Sequence, residues 1–161
     1  MTRHGFTITR HFSVPVEKVF DAFTQPDKLN WFFNPGHRPD LPTTVDLRVG
    51  GYWRQEMIVN ADHRYVTGGQ YLEIKAPRLL VLAWGAVDGW PRLDPDNPGA
   101  GPSIRIALSP QGGGTHMDFA VELPDDMSET EARKWLDSGM HDGWSMTLDR
   151  LVAAMAEGGE R

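Results

Sequence analysis

The sequence contains no cysteine. That absence excludes disulfides, thiol nucleophiles, zinc–thiolate sites and iron–sulfur clusters. Long apolar runs are missing too. The longest, residues 79–84, falls far short of the roughly 20 residues a membrane-spanning helix requires, so no membrane partner is expected. Residues 1–6 lack the apolar core of a secretory signal, and the expected location is therefore cytoplasmic. Positive charge is in deficit, with 16 Lys and Arg against 22 Asp and Glu and a net charge of −6, which argues against a nucleic-acid partner. The six histidines show neither H-x-x-x-H nor H-E-x-x-H spacing, and no G-x-S-x-G elbow occurs. No metal site, cofactor or catalytic triad is expected from these patterns. The glycine runs at 50–51 and 112–114 lack the lysine or following helix of a phosphate loop and are expected to be turns.

What remains is an ordinary globular composition: 161 residues, 40% apolar and 24% charged. One domain over residues 1–161 is the expectation, large enough to close a sizeable core. The acidity is uneven. Residues 1–117 carry 11 acidic and 12 basic side chains, net +1, whereas residues 118–161 carry 11 acidic and 4 basic, net −7. A C-terminal element should therefore expose a negative, solvated face.

Phe6, Ile8 and Phe12 alternate with polar neighbours in the period of a half-buried strand. After Pro15, the apolar positions Val16, Val19, Phe20 and Phe23 recur at helical spacing, and residues 27–33 predict a second short helix before Asn34-Pro35-Gly36. Strands are then expected over 43–49, 52–59, 64–74, 79–84, 103–108 and 115–121, mostly joined as hairpins. That makes about seven strands in antiparallel succession. Residues 88–102, with four prolines and three glycines, form a long connection of the kind that often serves function. Ser128 and Glu131 have capping-box spacing and open a helical pattern running through Ala132, Leu136, Met140, Trp144, Leu148, Leu151 and Met155. Gly139 and Gly143 predict a kink or restart near His141, and Gly158-Gly159 an end.

Six tryptophans and seven methionines are a large load for this length. Flat rings and adaptable sulfurs can fill a wide core or wall an apolar ligand pocket. Arg54 and Glu56 lie two apart on one strand and share a face. If that face lines a cavity they would need buried partners or a ligand; if it meets water they form a solvated charge pattern.

Several stretches carry a resemblance: Ile8 through Thr24 as an opening strand and helix, Asp46 through Arg54, Gly69 through Ile74 with Pro77 through Val81, Gly113-Gly114-Thr115, and Gly143 through Leu151. In this order they resemble the SRPBCC (START-like) superfamily, within the group of homologues of the activator of heat-shock protein 90 ATPase. The resemblance implies an α+β helix-grip fold: two short helices after the first strand, and a curved antiparallel sheet of about seven strands around a long C-terminal helix. Members of the superfamily bind lipids, hormones and aromatic polyketides, and some are cyclases or aromatases. The eukaryotic activator carries a further N-terminal domain for which this sequence has no room, so a chaperone-activating role is not the expectation. The sequence also departs from many relatives at Ala120-Val121, where they carry a histidine.

The expected function is binding of a small hydrophobic or aromatic molecule in a cavity between the sheet and the last helix. Trp31, Phe33, Trp53, Met57, Tyr71, Trp84, Met117, Phe119, Met140 and Trp144 are the candidate lining. Trp90 and its loop would form a lid, and Arg54, Glu56 or Tyr71 would orient the ligand. The enzymatic alternative is a cyclase/aromatase-like or hydrolase-like activity in the same cavity, with Tyr71 or Glu56 transferring a proton and Arg54 stabilising negative charge. A protein-interaction module would instead expose an apolar patch.

Overall fold

The computed structural model describes residues 5–25, 43–60, 62–86, 89, 93–94, 96–97, 101–124, 127–137 and 139–159. Its strands are β1 (Gly5–Phe12), β2 (Thr43–Val45), β3 (Tyr52–Asn60), β4 (His63–Lys75), β5 (Leu79–Trp84), β6 (Ser103–Gln111) and β7 (Gly114–Glu122). Helix α1 (Val16–Thr24) follows β1, while α2 (Glu129–Leu136) and α3 (Met140–Gly159) end the chain. The second short helix expected over 27–33 lies outside the described residues.

All strands pair antiparallel in the order β1-β7-β6-β5-β4-β3-β2. Five neighbouring pairs are consecutive in sequence, and all of them but β5 and β6, which the long connection after Trp84 joins, are linked by six residues or fewer; β1 and β2, consecutive in sequence, occupy opposite edges. The register puts one apolar phase of each strand on a common concave face. Ile8 sits opposite Phe119, Phe119 opposite Ile106, and Ile106 opposite Leu80. These side chains are buried, together with Val19 and Phe20 of α1 and Trp144, Leu148 and Leu151 of α3. Burying each such residue contributes about 1.5–3 kcal/mol, enough to hold amphipathic helices against the sheet.

Local chemistry ends the helices. Pro15 stands at the N-cap of α1, where its missing N–H costs nothing, and Gln25, which precedes Pro26, is extended at φ −99° and ψ 124°. Ser128 Oγ accepts the Glu131 backbone N–H at 3.1 Å and caps α2. The expected interruption of the C-terminal helix falls between Leu136 and Met140, where Gly139 has φ +89°. α2 and α3 are therefore separate helices, with the restart at Met140.

The long 88–102 connection is tied down where it is described. Leu93 is buried and its N–H donates to the Ala86 carbonyl at 3.0 Å. No helix of the described residues is long and apolar enough to cross a membrane.

Candidate functional site

Tyr71 occupies the concave side of β4 and is held by its backbone. Its carbonyl accepts the Gly50 N–H at 2.7 Å, and its N–H donates to the Gly51 carbonyl at 2.9 Å. This docking requires glycine at 51, because a Cβ there would collide with the Asp46 carbonyl oxygen. Immediately after Tyr71 the β4–β5 register slips, so the inward phase passes from Tyr71 to Ile74, which packs on the core, and Leu72 is exposed.

The Tyr71 side chain is only 1% exposed, yet its hydroxyl has no hydrogen-bond partner among the described residues. Burial pushes the phenol above its ordinary pKa of 10.0, and the Asp46 carboxylate adds to the shift. At neutral pH the group is therefore an uncharged O–H. Asp46 is itself held by Arg48, whose Nε donates to Oδ2 at 2.7 Å.

Aromatic side chains share the core cluster with Tyr71. Trp53 and Trp84 are both opposite Gly69 in the register of β3, β4 and β5. A side chain at 69 would collide with Leu82 Cδ1. Each indole is pinned by its N–H: Trp53 Nε1 donates to Gln55 Oε1 and Trp84 Nε1 to Thr67 Oγ1, both at 3.2 Å. Gln55 and Thr67 are themselves cross-strand neighbours, and both are buried. From α3, Trp144 packs edge-on against Trp84 at 5.1 Å and at a tilt of 44° against Phe119 at 4.9 Å between ring centroids. Phe23 of α1 stacks on Phe119 at 6.4 Å.

Of the residues singled out in the sequence, Trp53, Tyr71, Trp84, Met117, Phe119 and Trp144 are buried in one core cluster. Met57 lies in β3 opposite Tyr65, and Met140 begins α3; their side chains are outside the described set. Trp31, Phe33 and Trp90 are outside the described residues altogether. Arg54 and Glu56 are on the convex face, where Arg54 is exposed and Glu56 half-buried. Arg54 borders a recess of about 260 Å³ together with Thr44, Tyr52, Trp53, Gly85 and Ala86.

Four residues escaped the sequence reading. Gln55 and Thr67 were legible in principle, being two positions from Trp53 and in phase with Tyr71. Arg10 also carried a signal, as the one charged residue in the inward phase of β1. Its Nε donates to Asp149 Oδ1 at 2.9 Å and its Nη2 to Ser145 Oγ at 2.7 Å, joining β1 to α3. Asp46 gave none, since its place beside Tyr71 depends on how the 46–51 turn docks. Among the described residues no three His, Asp or Glu side chains converge as a metal site demands.

A seven-stranded antiparallel sheet with α3 against its concave face defines a START-like helix-grip domain. The chain belongs to the family described as Activator of Hsp90 ATPase homolog 1-like protein, whose profile matches residues 13–156. Solved structures agree on the fold. A Nitrosomonas europaea protein is similar at 20% identity with a TM-score of 0.73, covering 98% of this chain and 97% of that one. A Rhodobacter sphaeroides protein shares 18% identity with a TM-score of 0.72, covering 96% and 93%. An Arthrobacter aurescens protein shares 22% identity with a TM-score of 0.72, covering 95% and 86%. No curated protein matches the sequence.

Proposed function

We propose that this protein binds a small hydrophobic or aromatic molecule between the concave face of the sheet and α3. The supporting observation is the Tyr71 hydroxyl, buried and without a partner among the described residues. An unsatisfied buried hydroxyl costs about 1–3 kcal/mol, and folded interiors retain few of them. A ligand atom that accepts from Tyr71 would offset that cost.

The surroundings suit such a ligand. Trp53, Trp84, Met117, Phe119 and Trp144 supply flat and polarisable apolar surface. Because the Trp53 and Trp84 N–H groups already have protein acceptors, these indoles act as walls. Burial of ligand surface at about 25 cal/mol per Å² supplies the affinity, and one hydrogen bond supplies orientation. Trp31, Phe33, Met57 and Met140 complete the proposed lining, with Trp90 and its loop as the lid. Arg54 and Glu56, on the other face, take no part. A phenol with a raised pKa donates a hydrogen bond at neutral pH and does not serve as a base there. The reading is therefore binding, with no catalytic step assigned.

Native mass spectrometry of gently purified protein tests this. The expected result is a native mass exceeding the chain mass by that of a small molecule, with the excess lost on denaturation. A protein that shows no such excess, and gains none when incubated with a panel of aromatic and aliphatic compounds, would overturn the proposal.

A further inference from the structure

Five large apolar side chains are exposed among the described residues, and four of them, Leu47, Val49, Tyr52 and Leu72, gather at one end of the β3–β4 pair. Backbone bonds bring them together. The Gly50 N–H donates to the Tyr71 carbonyl, which sets Val49 near Leu72, and Tyr52 lies opposite Gln70, two residues before Leu72. Exposed apolar residues scattered singly need no explanation, whereas a contiguous set marks a surface that another molecule covers. Val49 is 66% exposed, and with Leu47 it makes the 46–50 turn an apolar knob.

Beyond Tyr52 the surface is hollow. Thr44 and Gly68 are opposite Arg54 in the register, and the Gly68 carbonyl accepts the Gly85 N–H. Gly68 and Gly85 have no side chains to cover this row, and at 68 a Cβ would collide with the Trp53 carbonyl oxygen. The result is the recess of about 260 Å³ bordered by Thr44, Tyr52, Arg54, Gly85 and Ala86. Knob and recess flank Tyr52 along β3. A twofold axis through Tyr52 would therefore seat each knob in the recess of the other copy, the self-complementary contact of a symmetric dimer.

Charge favours the same occupant. The ion pairs beside the patch, Arg48–Asp46 at 2.7 Å and Lys75–Glu73 at 3.0 Å, each hold one charge of either sign. The patch is neutral, and a copy turned by a twofold can set acid against base. The excess acid lies elsewhere: residues 118–161, in and after β7, carry a net −7, and β6 and β5 separate β7 from β4. Two acidic copies repel least where this face meets its twin. We propose that two copies of this chain associate through this end of β3 and β4, with the 46–50 turn of each seated in the recess of the other.

Sedimentation velocity of the full chain, from micromolar to millimolar concentration, tests the proposal. The expected result is a reversible dimer with a micromolar dissociation constant, as suits a small interface. Val49→Lys and Leu72→Lys should each weaken it about tenfold, the effect of losing one central apolar contact. Both positions are exposed, so the unfolding midpoint of each variant should match the parent's. Met146→Lys, at the fifth exposed apolar residue, on α3, should leave the dimer unchanged. Because Arg54 borders the receiving recess, Arg54→Glu should restore dimerisation to Val49→Lys. A monomer at every concentration, or a dimer indifferent to both lysines, would overturn the proposal. So would a monomer that adsorbs through these residues to phosphatidylcholine vesicles, which would make the patch a lipid-facing surface. Failure of Arg54→Glu to rescue Val49→Lys would overturn the seating of the turn in the recess.

Discussion

Trp144 on α3 meets Trp84 on β5 edge to face, with ring centroids 5.1 Å apart and planes inclined at 66°. The same indole leans on Phe119 of β7 at 4.9 Å. One side chain thereby joins the helix to two strands that are separated by β6 in the sheet. Trp144→Ala should lower unfolding free energy by about 3–5 kcal/mol, combining lost transfer energy with the cavity left behind. Trp144→Phe, which keeps an aromatic contact, should cost less than half as much. Urea unfolding of the two variants checks both values.

Tyrosine burial sets a limit on alkaline stability. Burial raises the pKa of Tyr71 and of Tyr65 from 10.0. The folded state therefore keeps protons that the unfolded state releases above pH 10, and stability should fall as pH rises past that value. Below pH 10 both states are protonated, and this contribution is fully present. Tyr71→Phe should flatten the fall measured by urea unfolding between pH 9 and 11. At neutral pH the same variant should be as stable as the parent or more stable by about 1 kcal/mol, because an unpartnered hydroxyl is removed. A clear loss of stability at neutral pH would mean that the hydroxyl is satisfied in the folded protein.

The Arg10–Asp149 pair is asymmetric in exposure. Arg10 is 25% exposed and Asp149 65%, so solvent and salt screen the charge–charge part. Asp149→Asn should cost less than about 1 kcal/mol, and the difference should shrink in high salt. Arg10→Met should cost more than Asp149→Asn, because it also removes the bond to Ser145. Amide exchange in the first turns of α3 should quicken in Arg10→Met, and hydrogen-exchange measurements would show it.

Two glycine-to-alanine changes should have opposite signs. At Gly51 the added Cβ meets the Asp46 carbonyl, so the turn that holds the Tyr71 backbone must shift, and a loss of about 2 kcal/mol or more is expected. At Gly143, exposed on α3 with nothing within 4 Å of the added carbon, alanine should stabilise by about 0.5–1 kcal/mol through helix propensity alone. Thermal unfolding of the two variants distinguishes these outcomes.

Much of the fold was legible because it is written in short-range periodicity. The β1 alternation, the Val16–Val19–Phe20 spacing, the Ser128 cap and the break before Met140 each depend on neighbours a few residues away. The strands were placed by the same logic, with errors confined to their ends, as at β2, which stops at Val45 rather than running to 49. The site was less legible. Trp53, Tyr71, Trp84 and Trp144 stood out as large aromatic residues, but the polar groups that pin two of them did not. Gln55 and Thr67 are ordinary strand residues until the β3–β4 register sets them opposite each other on a buried face.

The sequence by itself determined the α+β class, the run of antiparallel hairpins and the amphipathic helices, since these follow from hydrophobic period, turn residues and caps. It also excluded chemistry that requires a thiol from this chain. Only the tertiary structure decided which phase of β3 faces inward. Arg54 and Glu56 versus Trp53 and Gln55 is a choice of one residue in register, and it is settled by pairing with β4 and by the helices covering one face. Tertiary structure likewise decided that Tyr71, just before a slip in register, buries its hydroxyl while the 46–51 turn docks on its backbone. That turn and Tyr71 are far apart in sequence, and no local pattern couples them; their meeting follows from the docking of Gly50 and Gly51 on the β4 backbone.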